Sequence, residues 1–307
     1  MSVSYKEGKI VVDNAFHEAT TYDMANNLIT AQFDGRGAIS KYAVMNKYSV
    51  FSAYYTLYSV DGVAFDWNAK KHVEMVGKKI TSKFETKDFE LEITQFLDQG
   101  SNCIYTQNIV KAKKDIDFRV VNNFGINFSS YVEQLPNRLS FSTICKVVGG
   151  FIGKKKPNVV TEDVIMYIRG NVMGDFYFDI AANSELVALE AERGFTNQFE
   201  YGAKIKKGES KVFRYVVSAG TRGDFTYCDV KDALKNFDSA LKQANEYILS
   251  LKCPVKLESD FLNSYYKSLL NTSLSNYKEL GKFKGFLAGI VYQFPARTYY
   301  RDAYWTV

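Results

Sequence analysis

The sequence has few prolines, cysteines, histidines and tryptophans, and it contains no long apolar run. Its 307 residues include four prolines, four cysteines, two histidines and two tryptophans. Four prolines and 20 glycines exclude the collagen-like and proline-rich linker classes. No stretch approaches the roughly 18 apolar residues that a transmembrane helix needs, so we expect no membrane partner.

The thiols and imidazoles are too scattered in the sequence to predict a metal site. No Cys-x-x-Cys motif is present, and neither His17 nor His72 is close in sequence to a cysteine. The four cysteines are Cys103, Cys145, Cys228 and Cys253. We expect no metal, no cofactor and no catalytic Cys/His pair. Reduced, mostly buried thiols and an N-terminus without an apolar signal segment predict a cytoplasmic protein.

The charge balance argues against nucleic acid as a partner. Lys and Arg total 39 against 34 Asp and Glu, which gives a net charge of +5, too mild for a nucleic-acid-binding surface. The composition is ordinary for a globular protein, with 46% hydrophobic and 24% charged residues. The unusual feature is the aromatic share of 15%, from 23 Phe and 22 Tyr. Tyrosine is common in strands and also on sugar-binding surfaces, where ring faces contact C–H groups.

Strand and turn signals repeat from the start of the chain to about Gly220. Residues 51–60 alternate and end at Asp61-Gly62, a pair suited to a type I′ turn. Other predicted strands cover residues 28–33, 38–40, 63–65, 80–84, 89–93, 104–110, 118–121, 139–144, 164–168, 176–180 and the hairpin 204–217. No helical segment of the length that a βαβ unit needs interrupts them. The sequence therefore predicts a mainly β fold, with one large antiparallel two-sheet supersandwich over residues 1–222.

The apolar period changes to that of helices after the predicted sandwich. Residues Asp229 to Leu251 carry apolar side chains at i, i+3, i+4 and i+7 spacing, with Asp229 as N-cap. A second helix is predicted from about Glu258 to Leu280, with Gly281 as the glycine that ends it. The last residues, 303–307, look like the first turn of a helix without a polar tail, so we expect the chain to be the N-terminal part of a longer protein.

The tail carries a motif that resembles a known clan of enzymes. Residues Phe294-Pro295-x-x-x-x-Tyr300-Arg301-Asp302-x-Tyr304-Trp305, preceded by a β-sandwich and two helices, resemble the six-hairpin (α/α) barrel glycosidases. Within that clan the chain looks most similar to glucoamylase and glycogen-debranching enzymes. The resemblance implies an N-terminal supersandwich at 1–222, a helical linker at 223–256 and the first elements of a catalytic (α/α)6 barrel, or toroid, at 257–307.

The resemblance also implies a substrate-binding role for the tail. It assigns Arg301 and Asp302 to the grip on the sugar in the −1 subsite. A carboxylate can accept hydrogen bonds from vicinal hydroxyls, and a guanidinium offers paired donors in a fixed geometry. Tyr300, Tyr304 and Trp305 supply flat apolar faces nearby. The alternative is a structural ion pair between Arg301 and Asp302, with the aromatic residues in a core.

The sequence thus predicts part of a glycoside hydrolase that acts on α-glucosides or related oligosaccharides. The resemblance implies that the catalytic acid and base follow Val307, so no carboxyl group here is assigned either role. A glycoside phosphorylase of the same clan is the closest alternative. A non-catalytic carbohydrate-binding sandwich with exposed aromatics such as Tyr54, Tyr55 or Trp67 is another. The predicted partner is an oligosaccharide or polysaccharide, and the sequence leaves open whether the chain forms a homodimer.

Overall fold

The computed structural model describes most of the sandwich and the helices that follow it. It covers residues 2–6, 8–13, 21–44, 48–67, 70–130, 146–147, 166–171, 176–184, 186–191, 197–221, 223, 227–280 and 283–286. Within these ranges the chain forms twenty strands and three helices.

The helices are α1 (Val230–Lys235), α2 (Phe237–Ser250) and α3 (Asp260–Ser275). The strands are β1 (Ser2–Lys6), β2 (Lys9–Asp13), β3 (Tyr22–Ala25), β4 (Ile29–Phe33), β5 (Ile39–Val44), β6 (Tyr48–Val60), β7 (Val63–Ala64), β8 (Lys70–Val76), β9 (Lys79–Glu85), β10 (Phe89–Leu97), β11 (Cys103–Ala112), β12 (Ile116–Ser130), β13 (Lys146–Val147), β14 (Met166–Asn171), β15 (Phe176–Ala182), β16 (Leu186–Ala191), β17 (Asn197–Ile205), β18 (Ser210–Thr221), β19 (Tyr277–Leu280) and β20 (Phe283–Phe286).

The strands before the helices form two large sheets. One sheet has ten strands in the order β1-β2-β8-β9-β10-β11-β18-β15-β14-β13. The other has eight, in the order β16-β17-β12-β6-β5-β4-β3, with β7 paired to β6. Neighbouring strands run antiparallel throughout the described part of both sheets. The predicted antiparallel two-sheet sandwich is therefore confirmed.

The main core lies between the two sheets. Phe33 and Phe118 of the eight-stranded sheet share one buried cluster with Phe84 and Ile93 of the ten-stranded sheet. Along β10 the inward residues Phe89, Leu91 and Ile93 alternate with outward polar ones, as a half-buried strand requires. Burying each such side chain stabilises the fold by about 1.5–3 kcal/mol.

Tyrosine is abundant partly because several tyrosines lie in this core. Tyr42, Tyr201 and Tyr215 belong to this cluster and are among the largest fully buried side chains. Their hydroxyl groups have partners: the Asn108 amide, for example, donates to the Tyr201 hydroxyl at 2.8 Å. A buried hydroxyl needs such a partner to offset its lost hydration. The tyrosine content therefore reflects core packing at these positions.

The hairpin predicted at Asp61-Gly62 has the expected geometry. Asp61 has φ 52° and Gly62 has φ 78°, so both turn residues adopt the positive φ that a type I′ turn requires. Strand β6 precedes the turn and β7 follows it, with Val60 paired to Val63. The strand predicted over residues 139–144 lies outside the described residues.

The helices lie outside the sandwich, against the outer face of the ten-stranded sheet. A second buried cluster joins Phe96, Tyr105 and Val216 of that sheet to Leu234 of α1 and Phe237 of α2. Helix α3 contacts β1 at the edge of the same sheet. The order of layers is therefore eight-stranded sheet, ten-stranded sheet, helices.

Two helix predictions need correction. The single helix expected from Asp229 to Leu251 is interrupted at Asn236, where α1 ends and α2 begins. The reason is local: the Asn236 side-chain amide donates to the Asp232 carbonyl at 2.9 Å, which closes the end of α1. Asp229 does cap α1, since its carboxylate accepts from the Lys231 amide.

The helix expected to reach Leu280 ends instead at Ser275. Its last turn contains hydroxyl groups that bond back to the backbone, such as the Ser275 hydroxyl to the Asn271 carbonyl at 2.9 Å. Such bonds compete with helix continuation. Residues Tyr277–Leu280 form strand β19, which pairs with β20, and the Tyr277 and Phe286 rings meet at 5.7 Å. Gly281, predicted to end the helix, lies outside the described residues.

Candidate functional site

The five residues predicted to contact sugar all follow the last described strand. Tyr300, Arg301, Asp302, Tyr304 and Trp305 lie outside the described residues. Their roles therefore remain predictions, and the structure contributes the scaffold that leads to them.

That scaffold is helix α3 and the β19–β20 hairpin. The Glu279 amide of β19 donates to the Asn27 carbonyl at 3.0 Å, which ties the hairpin to the β3–β4 turn of the sandwich. Tyr5 of β1 packs edge-on against Phe261 and Tyr265 of α3, at 5.4 and 5.5 Å between ring centres. These contacts therefore hold both α3 and the β19–β20 hairpin against the sandwich.

Helix α3 also exposes a row of large apolar side chains. They are Phe261, Leu262, Tyr265 and Leu269. Large apolar side chains grouped on one face of a helix usually pack against another element.

The aromatic residues considered for sugar binding on the sandwich differ in exposure. Tyr55 is 46% exposed, and the Tyr54 side chain is outside the described part. Trp67 instead packs edge-on against Phe65 and Phe84, at 4.7 and 5.1 Å between ring centres. Trp67 therefore belongs to the margin of the core, and Tyr55 is the candidate of the three that the structure shows exposed.

A cavity of about 530 Å³ lies on the outer face of the ten-stranded sheet. We call this region the open half of the face, because helices cover the other half. Its lining is mostly charged and comes from strands β2, β8, β9, β10, β11 and β18: Asp13, Lys71, His72, Lys83, Phe84, Glu85, Glu90, Leu91, Glu92, Ile109, Lys111 and Ser210.

His72 bridges two carboxylates in the open half. Its Nδ1 lies 2.6 Å from Asp13 Oδ1, and its Nε2 lies 3.2 Å from Glu74 Oε1. Asp13 is the direct cross-strand neighbour of His72. The hydrogen bond to Asp13 raises the pKa of His72, burial opposes the rise, and the hydrogen bond to Glu74 adds to it. This arrangement favours the imidazolium form.

Several other charged side chains in and beside the open half form ion pairs. Lys83 lies 3.4 Å from Glu92, and Lys113 lies 2.9 Å from Glu85 and 3.4 Å from Glu90. Each of these carboxylates therefore has a cation beside it. Such a surface can bind hydroxyl groups, but it does not present the two separately tuned carboxyl groups that glycoside hydrolysis uses.

A second cavity, of about 470 Å³, lies between the sheet and the helices. Asp98 is one of its lining residues and accepts hydrogen bonds from the Tyr105 hydroxyl at 3.1 Å and the Ser101 amide at 2.8 Å. Cys228, from the segment just before α1, lines the same cavity. The Cys228 thiol donates to the Asp229 carbonyl at 3.8 Å, and its side chain packs against the buried cluster that contains Cys103. This packing is absent from the sequence-based candidates, because residues 103 and 228 are far apart in sequence.

The described residues contain no group of three or more His, Cys, Asp or Glu side chains that could hold a metal ion. No helix in the described ranges is long and apolar enough to cross a membrane.

Comparison with known proteins finds similarity of structure alone. No family model matches the sequence, and no curated protein matches it. A solved structure assigned as a kojibiose phosphorylase from the human microbiome superimposes with a TM-score of 0.55 at 10% identity, over 90% of this chain and 42% of that one. This chain therefore spans less than half the length of that protein.

Two further structures are similar at lower scores. A bacterial glucoamylase complexed with acarbose gives a TM-score of 0.47 at 10% identity, over 89% of this chain and 40% of that chain. A galactose mutarotase related enzyme from Lactobacillus acidophilus gives 0.40 at 11% identity, over 66% and 98%. This chain thus shares its fold with the matched part of the phosphorylase structure.

Proposed function

We propose that this chain is the N-terminal part of a glycoside hydrolase that acts on α-glucosides or related oligosaccharides. The observation that carries the proposal is the fold likeness over 90% of the chain. That coverage extends past the sandwich, which ends near residue 221, into the helices. In this proposal residues 1–222 are the sandwich, 223–256 the helical linker and 257–307 the start of the catalytic barrel.

The exposed apolar row on α3 supports this division. A first barrel helix packs against neighbouring barrel helices, so one of its faces must be apolar. Phe261, Leu262 and Leu269 are about half exposed in the described structure, so completing their burial would add roughly 1 kcal/mol each.

Substrate binding is assigned to the tail. Asp302 accepts hydrogen bonds from two sugar hydroxyls, and Arg301 orients its carboxylate and donates to the same sugar. Tyr300, Tyr304 and Trp305 form the apolar wall of the −1 subsite. The catalytic acid and base are expected after Val307.

A phosphorylase of the same clan is the second candidate. The observation that favours it is that the structure with a TM-score of 0.55 is assigned as a kojibiose phosphorylase. Both candidates share the grip on the sugar and differ in the group that attacks it: water in one and inorganic phosphate in the other.

The first experiment compares this chain with a polypeptide that extends beyond Val307. Each is incubated with maltose or kojibiose, with and without inorganic phosphate. We expect turnover from the longer polypeptide alone, since it carries the acid and base. Release of glucose without phosphate supports the hydrolase, and a sugar phosphate formed only with phosphate supports the phosphorylase. Turnover by the 307-residue chain that is lost on mutating one of its own carboxylates would contradict the proposal.

The second experiment tests Asp302 in the longer polypeptide. Asp302→Asn keeps the shape but replaces one acceptor oxygen with a donor group. Since a charged hydrogen bond contributes about 1.5–3 kcal/mol, kcat/KM should fall by roughly 10- to 100-fold. The control is Asp260→Asn, an exposed position in the first turn of α3, where kcat/KM should stay unchanged.

The same variant separates the sugar grip from a structural ion pair. If Arg301 and Asp302 form a buried structural pair, Asp302→Asn leaves Arg301 unpaired and costs about 3–5 kcal/mol of folding free energy. A large fall in Tm, with normal kcat/KM in the folded fraction, would rule out sugar binding by Asp302.

A further inference from the structure

The open half carries a continuous row of side chains across six neighbouring strands. Its members are direct cross-strand neighbours that alternate with core residues, so they share the outer face: Asp13, His72, Lys83, Glu92, Ile109 and Val212. The row is about 24 Å long, because neighbouring strands lie about 4.8 Å apart. A second row, two residues along the strands, contains Glu85, Glu90, Lys111 and Ser210. Members of both rows line the cavity of about 530 Å³.

The charges that line this cavity nearly cancel. Four carboxylates, those of Asp13, Glu85, Glu90 and Glu92, line it together with three lysines and His72. The hydrogen bond to Asp13 raises the pKa of His72, which favours the cationic form of the imidazole. A ligand of high net charge would gain little here, since attraction to one sign of charge is offset by repulsion from the other.

The ion pair at the centre of the row keeps hydrogen-bonding capacity for a ligand. The Lys83 ammonium lies 3.4 Å from one oxygen of the Glu92 carboxylate. An ammonium has three donors and a carboxylate has about four acceptor positions, so this single contact uses a small part of each. The Lys83 and Glu92 side chains are 55% and 34% exposed, and a ligand in the cavity can therefore reach them.

The row ends in two apolar side chains. Ile109 is partly exposed and Val212 is 41% exposed, and they lie opposite each other on β11 and β18. An apolar ligand would suit this end only, because covering the ion pairs with apolar groups costs desolvation free energy. A ligand with hydroxyl groups on its edge and C–H groups on its faces matches both parts of the row.

We propose that the open half of the ten-stranded sheet binds a neutral oligosaccharide, at a site separate from the subsite assigned to the tail. Lys83 and Glu92 hydrogen-bond to hydroxyl groups of the sugar. Ile109 and Val212 pack against the C–H groups of one ring. The choice of an α-glucan as this saccharide rests on the proposed function, whereas the site itself rests on the side chains of the open half.

The first experiment locates a bound sugar on the unaltered chain. Isoleucine and valine methyl groups are labelled with carbon-13, and their NMR signals are followed while maltotriose, or separately cellotriose, is added. The signals of Ile109 and Val212 should shift and then saturate. Val63 is the control, since it is 70% exposed on β7, which pairs with β6 of the other sheet, and its signal should not move.

The result with the two sugars decides the proposal. Shifts with maltotriose support both the site and the α-glucan. Shifts with cellotriose alone would support the site and contradict the choice of an α-glucan. No shift of the Ile109 and Val212 signals with either sugar would overturn the proposal.

The second experiment removes the central ion pair. Lys83→Met combined with Glu92→Ala deletes both charges, so neither is left without its partner. Calorimetric titration with maltotriose should give a Kd weaker by about tenfold, since the groups that bond to the hydroxyls are lost. Lys242→Met combined with Glu246→Ala makes the same change in an exposed pair on α2, and its Kd should equal that of the unaltered chain. Melting curves check that both variants fold, and the methyl map needs no variant.

A third comparison separates the two sugar sites. Binding that is unchanged in the variant at Lys83 and Glu92 but lost in Asp302→Asn would place the saccharide at the tail and overturn the proposal. Failure of the proposed function is a different result, because it is measured as absent turnover by the polypeptide that extends beyond Val307.

Discussion

Helices pack on one half of the outer face of the ten-stranded sheet, and the other half is exposed to solvent. In the covered half, Phe96 and Tyr105 stack at 4.8 Å between ring centres and helix α2 packs on them. In the open half, the same two strands carry Glu90 and Lys111, which lie opposite each other. Both side chains are exposed to solvent, Glu90 at 45% and Lys111 at 60%. The difference shows that side-chain chemistry, and not strand pairing, decides where the helices bind.

The change occurs within a few residues along each strand. On β10 the outward side chains run from Glu90 and Glu92 through Thr94 to Phe96. An aromatic pair gives a helix an apolar surface to pack on. Burying a charged pair under a helix would instead cost more desolvation free energy than the attraction between the two charges returns. A single strand can therefore serve a solvated surface at one end and a helix-packing surface at the other.

Arg214 marks the boundary between the halves. Its guanidinium donates to Gln107 at 2.8 Å, binds Asp238 at 2.7 and 3.1 Å, and lies 4.7 Å from the centre of the Phe237 ring. The residue therefore touches the polar surface through Gln107 and the aromatic cluster through Phe237.

The largest expected effect comes from removing the aromatic contact of the covered half. Phe237 is 1% exposed and meets Phe96 and Tyr105 edge-on, at 5.2 and 5.6 Å. Phe237→Ala should lower the free energy of unfolding by about 3–5 kcal/mol. Urea denaturation followed by circular dichroism measures this change.

The control lies on the exposed side of the same helix. Leu249 is 70% exposed, so Leu249→Ala should change the free energy of unfolding by less than about 0.5 kcal/mol. Equal losses in the two variants would mean that the aromatic cluster does not hold α2 on the sheet.

Much of this comparison could be predicted from the sequence. Alternation along residues 89–93 identified an inward and an outward face, and the 3.6-residue period identified amphipathic helices. The Asp61-Gly62 turn was predicted because its φ requirements are local. Each of these features depends on residues close together in the chain.

The features that escaped prediction depend on contacts between distant residues or on subtle end signals. Alternation predicts which face of a strand is buried but not which strand lies beside it. The contacts of His72 with Asp13 and of Cys228 with the buried cluster under the helices could therefore not be predicted. The break at Asn236 and the end of α3 at Ser275 depend on side-chain to backbone bonds that compete closely with helix continuation. The sugar-binding role of Arg301 and Asp302 rests on resemblance and stays a prediction.

A smaller effect is expected at the boundary. Asp238→Asn removes one negative charge that has two favourable interactions. That charge pairs with Arg214, and it lies in the first turn of α2, where the helix dipole favours it. Because Asp238 is largely exposed, the loss in unfolding free energy should be about 0.5–1 kcal/mol and should shrink in high salt. Glu246→Gln, in an exposed pair with Lys242 on the same helix, should cost only a few tenths of a kcal/mol. No salt dependence in the Asp238 variant would contradict an electrostatic origin.

The smallest effect is the pH dependence of the open half. The pKa of His72 is raised from its ordinary 6.5, first by the hydrogen bond to Asp13. Its stabilisation is therefore complete below that value and is lost as pH rises through the folded pKa. Burial opposes a lower pKa for Glu74, but the hydrogen bond from His72 and the charge of Lys9 outweigh it and bring that pKa below 4.5. The stabilisation by Glu74 is present above that value and is lost as pH falls.

The two titrations together predict a maximum in the contribution of this cluster between about pH 4.5 and 6.5. The His72 side chain is 36% exposed, so solvent screening limits its share to below about 1 kcal/mol. His72→Gln should therefore lose stability relative to the unaltered chain at pH 5.5 and match it more closely at pH 8.5, as measured by urea denaturation at both values. Phe237→Ala serves as the comparison, since its loss comes from apolar burial in the covered half and should be nearly the same at both pH values. A His72→Gln loss that does not depend on pH would show that the imidazole stabilises the open half by packing, and the contrast between the two halves would then be one of shape rather than of charge.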